Sequence, residues 1–166
     1  LYHNGKEVRL EGNNTPEPFV AGDKGVYTPD LFQEKALEYV EAHKDEPFFL
    51  YYADIVPHAA NESGRYYGNE TGEGMPVESV EPYGGKDWPI PQRHHAAMIT
   101  QLDARVGELL DKLVELGIAE DTVVFFTSDN GPHSEGGVEP DFFDSNGPFR
   151  GIKRDLTDGG IRVPMI

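Results

Sequence analysis

Cysteine is absent from all 166 residues, which excludes disulfides, zinc–thiolate sites and a cysteine nucleophile. Positive charge is scarce. Lys and Arg number 14 against 30 Asp and Glu, for a formal net charge of −16. That balance argues against nucleic-acid backbones and anionic membrane surfaces as partners. No run approaches the ~18 apolar residues of a transmembrane helix, and no basic stretch followed by an apolar one opens the chain. Tryptophan occurs once, yet 9 Phe and 8 Tyr bring the aromatic content to 11%. That is enough to fill a core despite a mean hydropathy of −0.54. The length suits one domain. The chain opens on Leu1-Tyr2 without an initiator Met and closes on Ile161-Arg-Val-Pro-Met-Ile166 in the manner of a strand. It is therefore expected to be a piece of a longer protein.

Residues 1–27 are polar and rich in Gly, Asn and Pro, and read as a loop or hairpin region. Thr28-Pro29-Asp30 opens a predicted helix, with Thr28 as cap, Pro29 at the first helical position and Asp30 at the positive end of the dipole. Leu31, Phe32, Ala36, Tyr39 and Val40 continue it at helical spacing to about His43. Phe48-Phe-Leu-Tyr-Tyr52 is a short continuous apolar run, the pattern of a strand buried on both faces of a parallel sheet. Residues 59–91 show little periodicity and many Gly and Pro, as expected of a lid, a binding loop or a disordered stretch. From about Pro91 to Leu116, Met98, Leu102, Val106, Leu109, Leu110 and Leu113 form one apolar stripe, and Gly117 stops the helix. Thr122-Val-Val-Phe-Phe-Thr127 is a second buried-type strand, followed by the turn Ser128-Asp-Asn-Gly131. A third strand starts at Ile161. Alternating helices and strands predict an α/β fold: a mostly parallel sheet flanked by helices.

In such a sheet, ligands sit beyond the carboxyl ends of the strands. His58 follows the first strand, and Asp129 and Asn130 follow the second, so parallel strands would bring both groups to one edge. Asp129 and Asn130 offer adjacent oxygen donors suited to a hard cation such as calcium, which takes 6–8 of them. The same Asp-Asn-Gly is also a common turn. His58 and His133 are candidates for chemistry or plain packing residues. His94-His95 point in different directions and read as a solvated helix start. Arg150, Lys153 and Arg154 form a cationic cluster, either salt-bridged on a solvated face or a site for sulfate or phosphate oxygens. Sequons occur at Asn13, Asn61 and Asn69.

Taken in order, four of these segments resemble the sulfatase family, of the arylsulfatase type within the alkaline-phosphatase superfamily. They are Pro47-Phe-Phe-Leu-Tyr-Tyr52 with Pro57-His58, the helix Ala97-Met-Ile-Thr-Gln-Leu-Asp103 with Val106-Gly107 and Leu109-Leu110, Thr122-Val-Val-Phe-Phe-Thr-Ser-Asp-Asn-Gly-Pro-His133, and Phe149-Arg-Gly-Ile-Lys153 with Asp158-Gly-Gly-Ile-Arg-Val-Pro164. Residues 47–164 carry the likeness, and 1–46 match loosely. The resemblance implies hydrolysis of the sulfate ester of a sulfated sugar or aryl sulfate, with one calcium ion (Ca2+). Asp129 and Asn130 would be two of its ligands. Lys153 would hold a sulfate oxygen, and His58 would contact sulfate and protonate the leaving oxygen. His133 and Arg150 would shape the substrate pocket.

The family's nucleophile is a formylglycine made within Cys/Ser-x-Pro-x-Arg. No serine here has Pro two and Arg four positions on; after Ser145, Pro148 and Arg150 each come one position late. The nucleophile and two further calcium-binding aspartates would lie in an N-terminal part with no counterpart in this sequence. Residues 1–166 are thus expected to be an incomplete sulfatase catalytic domain, inactive alone and prone to self-association through exposed edges. The family implies a secreted or periplasmic location. Two other readings stay open: a phosphatase or phosphonate hydrolase of the same superfamily, and a non-catalytic binding half-domain.

Overall fold

The computed structural model describes residues 1–10 and 25–166. The sequon at Asn13 and most of the predicted 1–27 lead-in lie outside them. The chain opens with a hairpin, β1 (Tyr2–His3) against β2 (Lys6–Glu7), turned by Asn4-Gly5 at positive φ. Such primed turns match the twist of paired strands.

Helix α1 (Thr28–Ala42) begins where the Pro29 signal places it. The cap is Tyr27 rather than Thr28, and its side chain makes no capping hydrogen bond, its carbonyl instead accepting from the Asp30 and Leu31 amides. Thr28 has already entered the helix because Pro29 fixes the first turn. Helix α3 (Ile90–Glu115) is the longest element, and it ends before Gly117, which takes φ +72°. Only glycine adopts that left-handed geometry without a steric penalty. α1 packs on α3 through Ala36 and Val40 and through polar links. Gln33 Nε2 donates to the Arg105 carbonyl at 2.9 Å and to Glu108 at 3.1 Å, and buried Arg105 pairs with Asp30.

The 59–91 segment is more ordered than its composition suggests. It holds helix α2 (Asn61–Tyr67) and a single 3₁₀ turn at Asn69–Thr71, and it delivers Met75 into the core. Met75 and Met98 are fully buried and meet Val56, Ala59 and Val138, with Leu102 packed alongside. Burying each methionine contributes on the order of 2 kcal/mol. Local glycines hid this segment's apolar anchor, since a single Met has no periodicity.

The predicted parallel sheet is not seen. Among the described residues the only named strands are β1 and β2. Residues 48–52 and 122–125 pair with no strand among the described residues, and the two runs are not buried on two faces. Phe49 is 84% exposed, Tyr51 82%, Val123 78% and Phe125 72%. An extended apolar run becomes a strand only where a neighbour supplies its hydrogen bonds. The described residues supply one bridge, Thr127 with Met165, and it is antiparallel. Phe126 and Ile166 exchange both backbone hydrogen bonds beside it at 3.0 Å. The strand expected from Ile161 does not form there, because Asp158–Ile161 are a short helix, α4, and only Met165 beyond it is bridged. These runs and the α3 stripe border one open cleft of about 3200 Å³.

Candidate active site

Three chain segments meet at one end of this cleft, each tied to the next by a backbone carbonyl. The Pro57 carbonyl accepts from His133 Nε2 at 3.1 Å, and the Pro132 carbonyl accepts from the Lys153 backbone amide at 2.7 Å. Gly131 donates its amide to the Gly160 carbonyl at 3.0 Å. The backbones here are too close for side chains. A Cβ on Gly131 would strike the Gly159 carbonyl oxygen, and one on Gly159 would strike the Gly151 carbonyl oxygen. Gly-Gly at 159–160 therefore acts as a clamp, holding the 128–133 turn against the 150–155 loop.

The clamp sets Lys153 Nζ 2.8 Å from His58 Nε2, across 95 residues of sequence. His58 Nδ1 lies 2.8 Å from the Ala59 carbonyl. A carbonyl only accepts, so Nδ1 carries the proton and Nε2 offers its lone pair to the Lys153 ammonium. The Lys153 side chain is 15% exposed and that of His58 51%. His133 is buried, and its Nδ1 accepts the Glu135 amide at 3.1 Å. With Nε2–H given to Pro57, it is a neutral imidazole, and burial holds its pKa below the ordinary value.

Behind it stands His95, its ring 5.7 Å from that of His133, while the His58 ring lies 5.9 Å away on the other side. His95 is buried rather than solvated, and burial first, with the proximity of His133 second, lowers its pKa to about 4. The helix-start reading misplaced it because α3 turns this position inward, onto the 133–135 segment.

His58, Asp129, Asn130, His133 and Lys153 all line the cleft; Arg150 does not. The Arg150 side chain is exposed, and the residue's structural work is done by its carbonyl, which accepts from Gly159 N at 2.9 Å and Thr157 Oγ at 2.6 Å. Asp129 is exposed and Asn130 half-buried, its Nδ2 donating to the Gly131 carbonyl at 3.0 Å. The donor chemistry suits a hard cation, but two neighbours fall short of the 6–8 oxygens calcium takes. Among the described residues no group of three or more His, Cys, Asp or Glu is gathered around a metal position. Asp129 and Asn130 by themselves therefore do not complete a cation site among the described residues.

Sequence reasoning missed Glu135. Its Oε1 pairs with the Arg154 guanidinium, and its buried Oε2 lies 3.5 Å from Lys153 Nζ and 3.6 Å from His58 Nε2. Burial alone would raise its carboxyl. The Arg154 hydrogen bond, the Lys153 and Arg154 charges and a hydrogen bond from Asn61 instead bring it down to about 2. One glutamate among 30 acidic residues carries no local signal. The only hint was the basic cluster that needed a counter-charge.

Comparison with known proteins gives the family. A family model described as Sulfatase matches residues 3–166. N-acetylgalactosamine-6-O-sulfatase of Bacteroides thetaiotaomicron is 28% identical over 143 residues, 82% of this chain and 24% of that protein. Human arylsulfatase A is 33% identical over 127 residues, 74% of this chain and 20% of the relative. Mouse steryl-sulfatase is 32% identical over 146 residues, 87% and 20% of the two chains. The fold is also similar to the crystal structure of Ps i-CgsB in complex with k-i-k-neocarrahexaose, with TM-score 0.60 and 24% identity, covering 87% of this chain and 28% of that one. The chain thus spans about a fifth to a quarter of the length of these curated relatives. With the match running almost end to end, this chain belongs to the sulfatase family, whose members hydrolyse sulfate esters.

Proposed function

We propose that this chain forms the leaving-group side of a sulfatase active site acting on a sulfated sugar or an aryl sulfate. The carrying observation is the 2.8 Å contact of Lys153 Nζ with His58 Nε2 at the cleft. Cleaving a sulfate ester leaves negative charge on the departing oxygen, and a fixed cation beside a proton donor stabilises it. Lys153 binds a sulfate oxygen. His58, with Nδ1 fixed on Ala59, presents Nε2 as the atom that delivers the proton. His133 fixes the Pro57-His58 backbone. Arg150, outside the cleft, bears on substrate only through the loop it organises. Calcium and a formylglycine would supply charge neutralisation and the nucleophile when present, Asp129 and Asn130 giving the metal two oxygens.

The structural neighbour was solved with k-i-k-neocarrahexaose, which favours a carbohydrate as the group bearing the sulfate. No helix among the described residues is long and apolar enough to cross a membrane; a secreted or periplasmic location follows the family. Residues 1–166 alone are expected to show no calcium-dependent aryl sulfate turnover, having no Cys/Ser-x-Pro-x-Arg. The decisive test reads the coding sequence upstream of Leu1 and assays the whole product. A nucleophile motif there, aryl sulfate turnover, and a loss of about a hundredfold or more in Lys153→Ala and His58→Ala support the reading. A start codon directly before Leu1, or preference for aryl phosphate, overturns it. The same reading includes self-association of residues 1–166 through the exposed runs at 49–51 and 123–125. Light scattering checks this, and a clean monomer counts against it.

A further inference from the structure

The reaction outlined above leaves Glu135 unused, although it is the most enclosed charge at the site. Its side chain is 11% exposed, and Oε2 is buried without a hydrogen-bond partner among the described residues. A carboxylate oxygen taken out of water in this way persists only where nearby cations compensate it. Two do so: Lys153 at 3.5 Å, and Arg154 on the other oxygen. Arg154 stands at φ +80°, a left-handed backbone that a residue with a side chain adopts at a cost. That backbone turns its guanidinium onto Glu135.

We propose that Glu135 is a positioning residue for the His58–Lys153 pair, its buried Oε2 facing both side chains and favouring the cationic form of His58 from which the leaving oxygen takes its proton. The inference rests on the sulfatase reading for what the pair does. While His58 is neutral, its Nε2 lone pair accepts from the Lys153 ammonium at 2.8 Å. Once Nε2 is protonated, two cations face each other at that separation, and the Lys153 hydrogen bond is lost. Glu135 Oε2, nearly equidistant from both nitrogens, is the acceptor that makes this state tolerable. When the Nε2–H bond breaks and the proton joins the leaving oxygen, Nε2 regains its lone pair and accepts from Lys153 again. Glu135 stays ionised throughout.

The charges against His58 are Lys153 from the 150–157 loop and Glu135 from the turn after His133, with Arg154 of the same loop paired to Glu135. His133 lies beside the ring and His95 of α3 lies behind His133; Asn61 of α2 contributes a neutral hydrogen bond to Glu135. Among these only Glu135 is negative, so the sign of its effect is opposite to that of Arg154.

The test is an NMR titration of the His58 imidazole in the 166-residue chain, made on the parent, Glu135→Gln and Arg154→Met. Removing the carboxylate charge is expected to lower the His58 midpoint, with about tenfold less imidazolium at a fixed pH above it. Removing the exposed Arg154 charge is expected to shift the midpoint up by a smaller amount. A Glu135 that merely supported the fold would not give opposite shifts. An unmoved His58 midpoint in both variants overturns the proposal. If Glu135→Gln fails to fold, Arg154→Met decides by itself, because its side chain is 72% exposed and bears little packing. The titration needs no substrate. Opposite shifts with no sulfate ester turnover by the full-length protein would sink the sulfatase reading and leave Glu135 as the residue that sets His58.

Discussion

Gly131→Ala is expected to cost about 4 kcal/mol and to separate the Asp129-Asn130 turn from the Lys153 loop. The added methyl would be driven into the Gly159 carbonyl oxygen, which is backbone and cannot swing aside. Retreat is blocked behind it, since Gly159 lies against the Gly151 carbonyl oxygen and Gly160 against that of Asp155. Any shift therefore spreads through the clamp, breaking the Gly131–Gly160 hydrogen bond and then the Lys153–Pro132 one. Urea denaturation measures the loss, and hydrogen exchange at the Lys153 amide reports where it occurs. A stability change below about 1 kcal/mol would show that the clamp gives way cheaply.

That clamp illustrates where the sequence was legible. Asp129, Asn130, His133 and Lys153 were visible because each sits at a turn or in a charge cluster with a chemical reason. Parallel strands were expected to bring Asp129 and Asn130 to the same edge as His58, and that argument covered neither His133 nor Lys153. The structure brings His58, His133 and Lys153 together by a different route, through the Pro57–His133 and Pro132–Lys153 hydrogen bonds and the closeness of three glycine backbones. Helices α1 and α3 could be read because their apolar spacing repeats over 15 and 26 residues. Met75, His95 and Glu135 could not, since each owes its burial to tertiary packing rather than to its neighbours. The apolar runs at 48–52 and 122–127 read as buried strands, but strand pairing is a property of two segments, and one segment's composition cannot supply the second.

Acidification is expected to destabilise the chain through His95, by about 2 kcal/mol at pH 5 and about 3 kcal/mol at pH 4 relative to pH 7. Burial first, with the proximity of His133 second, holds the folded imidazole at about 4, while the unfolded one titrates near 6.5. Between those values the unfolded state binds the extra proton, so stability falls as pH drops from about 6.5 to about 4 and is unaffected above. His133, also lowered by burial, acts in the same direction. Glu135 acts in a separate window: its contribution is present above about 4.5 and disappears as pH falls through about 2. Urea midpoints at pH 7 and pH 5 measure the difference. His95→Leu, which also removes a buried Nδ1 that has no partner, is expected to flatten the pH 5 to 7 slope. An unchanged slope in that variant would locate the acid sensitivity elsewhere.

The 95-residue span between His58 and Lys153 also bears on biosynthesis. At roughly 5–20 residues per second, a growing chain exposes His58 on the order of 5–20 s before its lysine is made. Helices α1 and α3 are complete well before then, as is the Met75–Met98 core apart from Val138. A ribosome stalled after α3 therefore releases a chain with α1 and α3 in place but without Lys153 and the contact it makes with His58. Such a product would give a helical spectrum while lacking the pair altogether, so helicity by itself is no measure of functional yield for this protein.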